Sequence, residues 1–319
     1  DAPYRYENGQ KVTNYVSTSY KGLTTLRDAI IDSNNIVAVK AITALTPQVG
    51  FDFLQKLGFT TLVNNRVNTN GAYESDVNQS LSLGGITDGV TNVDLTAAYA
   101  AIANQGTYNK PILYTTVKDS NGNVLLSNKT SSRKVMKKST AWLLTNAMED
   151  VIKKGTGREA QLDSDMATAG KTGTTSNNYD YWFCEYTPYY TASVWTGYDY
   201  NTSFDNDKDY HKVIWKKIMD RIIKETKQSV KNFPACKSIK KASICMKSGK
   251  KPLPDICAKD PQKSMVRTEY FAPGTVPKDS CDAHIAVTFC SKSHLVAQKF
   301  CPEKFRYTKV FRVRPKHST

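Results

Sequence analysis

Apolar side chains in the first half of the chain recur at helical spacing, in short blocks separated by polar punctuation. Leu26, Ala29 and Ile30 share one face of residues 24–32, a stretch entered through a threonine, which predicts a short capped helix. Ser33, Asn34 and Asn35 interrupt it, because their side chains compete for backbone hydrogen bonds. A second block, Ile36, Val39, Ala41, Ile42 and Leu45, then runs up to Pro47. The triplet is therefore expected to be a corner between two helices. A third helix is bracketed by Pro47 at its start and Gly58 at its stop, with Val49, Phe51, Phe53, Leu54 and Leu57 between them. Further helices are expected over 94–103, closed by Asn104-Gln105-Gly106, and from Ser139 or Thr140 to Ile152 with Trp142, Leu143, Ala147 and Val151 inward. Residues 112–117 and 124–126, joined by Asp119 to Asn123, predict a hairpin.

The period then changes. Residues 166–175, 179–186 and 191–198 read as three β-runs separated by Asn-Asn and Pro-Tyr turns, an antiparallel meander. An amphipathic segment over 210–228, carrying Val213, Ile214, Ile218 and Ile222, closes this part. Helices on either side of an antiparallel sheet describe an α+β domain.

Charge divides the chain more sharply than periodicity does. The formal charge is +15, yet residues 1–228 carry 25 basic against 23 acidic groups, and residues 229–319 carry 19 against 6. Six of the seven cysteines also fall in the second region, with Cys184 alone in the first. The reading is a domain over 1–228 and a basic, Cys-rich extension over 229–319. Within the extension, Cys245 precedes Cys257 and Cys290 precedes Cys301 at similar spacing, each pair opening Cys-x-Lys-Ser. Two copies are too few for a solenoid and fit a duplicated Cys-bounded loop. A run of 18 or more apolar residues is absent, so neither a membrane span nor a signal peptide is expected within these 319 residues.

Candidate chemistry centres on Lys171-Thr172-Gly173-Thr174-Thr175 in the first β-run. Gly173 leaves one strand face bare, so that another backbone can approach closely. Lys171 supplies charge, and Thr172 and Thr174 supply directional donors, a set suited to an extended peptide ending in a carboxylate. The plainer alternative is a β-hairpin that happens to carry a lysine. Ser33-x-Asn35 is weaker alone, since such residues end helices everywhere.

Company changes that. In order along the chain stand Thr25-Leu-Arg-Asp-Ala29, Ser33-Asn34-Asn35, Ser80-Leu-Ser-Leu-Gly-Gly85, Ala97-Ala-Tyr-Ala-Ala-Ile-Ala-Asn104, Gly155-Thr-Gly157, Gly170-Lys-Thr-Gly-Thr-Thr175, Asp180-Tyr-Trp-Phe183, Tyr186-Thr-Pro188 and Val194-Trp-Thr-Gly-Tyr-Asp199. The series resembles the transpeptidase domain of class A penicillin-binding proteins, enzymes that cross-link peptidoglycan. It covers about residues 1–225. Cys245-Met-Lys-Ser-Gly249, Thr268-Glu-Tyr-Phe271 and Gly274-Thr-Val-Pro277 with Cys281-Asp-Ala-His284 resemble the segment that follows this domain in many Gram-positive members. The resemblance implies the penicillin-binding, serine β-lactamase-like α+β fold, here incomplete, followed by a small Cys-containing tail. It also implies a serine acyl-enzyme mechanism without a cofactor, acting on peptidoglycan stem peptides and captured by β-lactams. By that resemblance Ser33 relays a proton to the leaving amine, Asn35 bonds the substrate peptide, and Lys171 sets the electrostatics. Thr172, Gly173 and Thr174 bind the stem peptide, with the Thr174 amide in the oxyanion hole.

The family's nucleophile motif, Ser-x-x-Lys, should precede Ser33 by several dozen residues. Its matches here, Ser131/Lys134, Ser238/Lys241 and Ser248/Lys251, follow Ser33 and lie in basic polar stretches. The expectation is a chain that starts between the first and second motifs, inactive alone, whose parent is anchored at the extracytoplasmic face of a membrane. A non-catalytic wall-binding fragment and a β-lactam-hydrolysing or sensing relative are the alternatives.

Cys184 is expected to be a buried thiol and Glu185 to face solvent on a strand edge. The tail cysteines admit disulfides, free thiols or zinc. Cys281-x-x-His284 has metal-like spacing, but Cys245 and Cys257 lie at unremarkable separations, so no metal ligand is assigned. His211, His284, His294 and His317 are scattered, and no phosphate-binding loop follows a strand. The tail's positive charge and its aromatics, Phe289, Phe300, Phe305, Tyr307 and Phe311, would suit nucleic acid. The motif context instead favours anionic wall polymers or lipid head groups.

Overall fold

The computed structural model describes residues 1–15, 19–203 and 209–313, so His317 lies outside the described residues. The chain forms two compact units, Asp1–Tyr20 with Leu26–Lys237, and Lys21–Thr25 with Ser238–Thr319.

In the larger unit, β1 (Tyr4–Arg5) pairs with β2 (Lys11–Val12) ahead of the helices α1 (Leu26–Ile31), α2 (Asn35–Leu45) and α3 (Pro47–Lys56). After β3 (Arg66–Val67) and β4 (Tyr73–Glu74) comes α4 (Asn92–Ala103). Next are β5 (Thr107–Asn109), β6 (Thr116–Lys118), β7 (Val124–Ser127) and β8 (Ser132–Lys134), in which the β5–β8 ladder encloses the β6–β7 hairpin. The expected hairpin is present with a first arm shorter than its apolar run, because Leu113 stands almost fully exposed outside the ladder. Then follow α5 (Lys138–Lys154), β9 (Ala169–Thr174), β10 (Asp180–Tyr186), β11 (Thr191–Gly197) and α6 (Tyr210–Glu225).

Strands β9, β10 and β11 form the antiparallel meander, in spatial order β11-β10-β9. Helices α4 and α5 cover one face and α6 the other. Phe183 faces Trp215 edge-on at 5.8 Å, within a core of Ile152, Leu162, Met166 and Met219. On the opposite face Tyr186 packs with Ile102, Ala141 and Met148, and its hydroxyl hydrogen bonds Thr145 Oγ1 at 2.7 Å. The expected α+β arrangement is present.

Three expectations change. Helix α6 holds two apolar rows. The buried one runs through His211, Trp215 and Met219, while Ile214 and Ile218 are 39% and 49% exposed. The larger indole and thioether fill the space beneath β10, so the isoleucine row faces outward. Similarly, of the four residues expected inward on α5, Ala147 and Val151 are buried and Trp142 and Leu143 only half-buried, the inner face being completed by Ala141, Thr145, Met148 and Ile152. Finally, Glu185 does not face solvent but is fully buried, since the second half of β10 is covered on both faces. Neither of its carboxyl oxygens has a hydrogen-bond partner within bonding distance, and burial raises its pKa well above the usual range. Cys184 is the buried thiol expected, pushed up to about 12 by burial.

The smaller unit contains two hairpins, β12 (Lys240–Cys245) with β13 (Val266–Phe271) and β14 (His284–Cys290) with β15 (Arg306–Arg312). Cys184, Cys245, Cys257, Cys281, Cys290 and Cys301 are free thiols, so the disulfide reading is not realised among the tail cysteines Cys245, Cys257, Cys281, Cys290 and Cys301.

Glu185 yields a prediction with a definite sign. Its carboxyl stays protonated in the fold while the unfolded chain ionises above pH ~4.5, so it withdraws stability as the pH rises past that value. Glu185→Gln should melt several degrees higher than the parent at pH 7–8 and at the same temperature near pH 4. Equal melting curves at both pH values would contradict a buried neutral carboxyl.

Candidate active site

The site begins with a clamp. Arg27 on α1 reaches α5, where Nη1 donates to Asn146 O at 2.9 Å and Asp150 Oδ2 at 3.0 Å, and Nη2 donates to Asn146 Oδ1 at 2.8 Å. At the far end of α5, Gly155 lets α1 approach closely: a Cβ there would stand 2.7 Å from Ile31 O. Helix α1 is thereby seated along α5, and its last turn is fixed in height.

The corner follows. Ser33 adopts φ +53°, in the left-handed region, which turns the chain sharply. Asn34, buried, caps α2 by accepting from Val37 N at 3.0 Å. The structural work of the Ser-Asn-Asn triplet thus falls on its middle residue. Ser33 and Asn35, on either side, remain half-buried with side chains available for other contacts. Asn35 Nδ2 donates to Thr13 O at 2.9 Å.

Strand β9 supplies the other wall. It is the terminal strand of its sheet among the described residues. Thr175 N donates to Asp180 O, so by antiparallel alternation Gly173 and Lys171 bond inward and the N–H groups of Thr172 and Thr174 point to the open edge. Side chains alternate as well, placing Lys171 and Gly173 on one face and Thr172 and Thr174 on the other. Lys171 Nζ donates to Ser33 Oγ at 2.7 Å and to Thr172 O at 3.0 Å. Burial pushes this ammonium down from 10.5 to about 8. The structure therefore brings Lys171 and Ser33 into contact. Thr172 Oγ1 is 2.7 Å from Thr156 Oγ1, and Thr174 is exposed at the end of the strand.

Two glycines of β9 behave differently. A Cβ at Gly170 would lie 2.7 Å from both Cys184 O and Glu185 Cβ, so close strand packing requires glycine there. A Cβ at Gly173 would meet only Trp182 Cβ, at 3.4 Å. Packing within the protein leaves room at 173.

The motifs at 155–157, 180–183 and 194–199 supply supporting residues, Thr156, Asp180 and Trp195, and motif reading misses Lys212, Glu159, Asp209 and Tyr15 around them. Thr156 sits in the Gly155-Thr-Gly157 segment, whose carbonyl accepts from Lys212 Nζ at 3.3 Å; the same ammonium pairs with Glu159 at 2.9 Å and with Asp209. Asp180 holds the turn after β9, accepting from Thr175 Oγ1 and from Trp195 Nε1 at 2.8 Å. Tyr15 OH donates to Asn178 Oδ1 at 3.0 Å. Lys212 and Asp209 lie at the start of α6 and Glu159 on a separate turn, so they carry no shared periodic signal, whereas Thr156 is already marked by the Gly-Thr-Gly triplet. The three Ser-x-x-Lys matches lie on strands and turns. A cavity bordered by Ile102, Trp142, Thr145 and Phe233 shares no residue with the Lys171 group and is a gap between α4, α5 and the end of the unit.

Two outcomes are expected. Reductive ¹³C-methylation followed by NMR titration should find one lysine resonance moving near pH 8, absent in Lys171→Arg, while the surface lysines titrate near 10.4. Because the folded pKa lies below the unfolded one, the charged amine costs stability below pH ~8, and this cost is relieved as the pH rises toward 10.4. In thermal melts Gly170→Ala should lose well over 1 kcal/mol and Gly173→Ala less than that; similar losses would contradict the difference in packing.

With this geometry in view, residues 1–223 match the family described as penicillin binding protein transpeptidase domain, and residues 235–286 match penicillin-binding protein 1A, C-terminal domain. Penicillin-binding protein 1A of Clostridium novyi is 32% identical over 295 residues, covering 92% of this chain and 32% of the relative. Its namesake in Clostridium botulinum is 31% identical over 312 residues, covering 97% and 35%. The chain thus spans about a third of the length of these relatives. Among solved structures, penicillin-binding protein 1A of Haemophilus influenzae aligns with a TM-score of 0.64 at 18% identity, over 87% of this chain and 43% of that one. The PonA1 protein of Mycobacterium tuberculosis in complex with penicillin V aligns at 0.62 with 27% identity, over 73% and 64%.

Proposed function

The chain belongs to the penicillin-binding protein transpeptidase family, and we propose from that premise that it carries the peptide-binding and proton-relay side of a serine D,D-transpeptidase site that cross-links peptidoglycan stem peptides. The observation that carries the reading is the 2.7 Å contact between Lys171 Nζ and Ser33 Oγ beside an open strand edge.

A stem peptide can lie along β9 as an added strand, bonded by the outward N–H and C=O groups of Thr172 and Thr174. Gly173 leaves room for its backbone, and Thr172 and Thr174 hold its carboxylate, with Lys171 supplying positive charge nearby. When a serine oxygen attacks the penultimate carbonyl, negative charge develops on the carbonyl oxygen, and the Thr174 amide is placed to stabilise it. The C–N bond breaks as the departing amine takes a proton from Ser33 Oγ, and Lys171 returns one to Ser33. An ammonium with a pKa near 8 exchanges that proton readily at neutral pH. Asn35 would bond the peptide on the opposite side. The proton of the attacking serine passes to the lysine base of its own motif; a second amine then displaces the serine, its own proton returning through Ser33 to Lys171 while that base reprotonates the serine, completing the cross-link.

In this reading the attacking serine and its lysine base come from sequence outside the 319 residues, because the matches within lie on strands and turns. The parent acts on the extracytoplasmic face of a membrane and is held there by a segment outside this stretch. Among the described residues no single helix is long and apolar enough to cross a bilayer. The basic tail would add attraction to anionic wall polymers or lipid head groups.

The test is covalent labelling with a fluorescent penicillin. The isolated chain should remain unlabelled, and a protein extended upstream to include Ser-x-x-Lys should be acylated. Lys171→Ala in that longer protein should slow acylation by about 100-fold or more. A modified residue mapped by mass spectrometry in the isolated chain would overturn the assignment of the nucleophile. An extended protein that stays unlabelled would favour a non-catalytic wall-binding role.

A further inference from the structure

We propose that the smaller unit binds a structural zinc ion through Cys245, Cys257, Cys281 and His284. The inference is independent of the transpeptidase reading. It takes up the zinc reading that the sequence left open without assigning a ligand, because the fold, and not the spacing, brings the four together.

The ligand atoms of all four residues lie within 4.8 Å of one another, and all four residues are buried. His284 Nδ1 stands 3.4 Å from Cys245 Sγ and 3.5 Å from Cys281 Sγ. A tetrahedral zinc with bonds of about 2.3 Å to sulfur and about 2.0 Å to nitrogen holds such atoms ~3.5 Å apart. Three elements deliver them. Cys245 ends β12, and Cys281 is brought beside it by a bridge in which Lys251 N donates to Asp279 O and Cys281 N donates to Lys251 O. His284 begins β14, and Cys257 opens a single helical turn, its carbonyl accepting from Met265 N.

The surroundings suit an ion better than a disulfide. Three sulfurs cannot pair completely, so a disulfide among them would leave one buried thiol unpaired beside the imidazole. Each sulfur instead meets backbone N–H groups, which favour thiolate: Leu253 N lies 3.3 Å from Cys257 Sγ, and Ala283 N lies 3.4 Å from Cys281 Sγ. The turn after Cys245 aims the Ser248 and Lys247 amides at its sulfur, with Gly249 at φ +70° permitting the bend. The imidazole is oriented from behind. His284 Nε2 donates to Asp260 Oδ2 at 2.8 Å, which leaves Nδ1 as the lone-pair atom facing the sulfurs. Arg312 grips Asp260 with Nε to Oδ2 at 2.6 Å and Nη2 to Oδ1 at 2.7 Å. A carboxylate behind a ligating histidine is the usual second partner of a zinc site.

Four protein ligands with no open position make a closed, tetrahedral site, the form that stabilises a fold instead of catalysing a reaction. Three thiolates and one neutral imidazole select zinc over hard cations such as calcium or magnesium. Binding forms three Zn–S bonds and one Zn–N bond and releases the thiol protons to solvent. No electron is transferred.

The experiment uses the full 319-residue chain, purified under reducing conditions and supplied with zinc. One zinc per chain should survive gel filtration, and the cobalt-substituted protein should show sulfur-to-cobalt charge transfer and tetrahedral ligand-field bands. Cys257→Ser should lose the metal. Should that variant also unfold, His284→Cys keeps the test decisive, since it should retain the metal with a cobalt spectrum shifted toward all-sulfur ligation. Asp260→Asn should weaken zinc binding about 10–100-fold in competition with a chromophoric chelator. Cys290→Ser should retain the full equivalent. A chain that is folded by circular dichroism yet binds no zinc, or one whose intact mass shows a disulfide among Cys245, Cys257 and Cys281, would overturn the proposal. So would loss of metal from Cys290→Ser.

Discussion

A lysine ammonium drawn into the protein needs partners, and Lys171 finds one of them 138 residues away, in the hydroxyl of Ser33. That contact joins two distant parts of the larger unit. Its two ends belong to different kinds of structure: Ser33 to a helical corner, Lys171 to the edge of a sheet. A charged hydrogen bond of this kind contributes on the order of 1.5–3 kcal/mol only when both ends are held in position beforehand. The clamp of Arg27 onto α5, the missing side chain at Gly155 and the cap at Asn34 fix the serine end. The pairing of β9 with β10 fixes the lysine end. Helix α5 touches both, since it packs on β9 as well as on α1.

How much of this could be read from the residues follows from what each part depends on. The corner was legible because Ser, Asn and Asn interrupt a helical pattern by local chemistry, which context rarely overrides. The meander was legible for the same reason, its runs being short, apolar and separated by turn residues. The burial of Glu185 was not. A carboxylate in a strand ordinarily marks an exposed face, and only the stacking of helices on both sides of β10 makes its position interior. The face of α6 was lost in a similar way. Its sequence offers two adjacent apolar rows, and the shape beneath β10, absent from the sequence, selects Trp215 and Met219 over Ile214 and Ile218. Arg27 was visible as a letter in a motif, but its task of joining two helices became apparent only with Asn146 and Asp150 beside it.

The two glycines of β9 separate structure from chemistry within one strand. Gly170 answers to its neighbours: Cys184 and Glu185 fill the space a side chain would need. Gly173 has no comparable demand from inside the protein, where a Cβ would meet only Trp182 Cβ at 3.4 Å. Bare space beside an ammonium, next to outward-facing amides, is the arrangement an extended peptide with a terminal carboxylate requires. The proposed function accounts for the room at Gly173, which the packing within the protein leaves unexplained.

The smaller unit applies the same logic to its cysteine repeat. Cys245 and Cys290 open turns of identical construction. Gly249 N donates to Cys245 O and His294 N donates to Cys290 O, each at 2.8 Å, and both donors sit at positive φ, +70° and +60°. In each turn the amides two and three residues on point back at the sulfur. One turn is followed by a bridge that delivers Cys281, with His284 close behind at the start of β14; the other meets Cys301. The repeat detected in the sequence is therefore a repeat of turns that prepare a thiolate, and the strand pairing around each turn determines whether four ligands or two sulfurs gather there. Positive charge concentrated in this unit has a place in that scheme. In the zinc site proposed above, three thiolates and Asp260 would exceed the charge of a divalent ion by about two, and Arg312, which grips Asp260, offsets one of them.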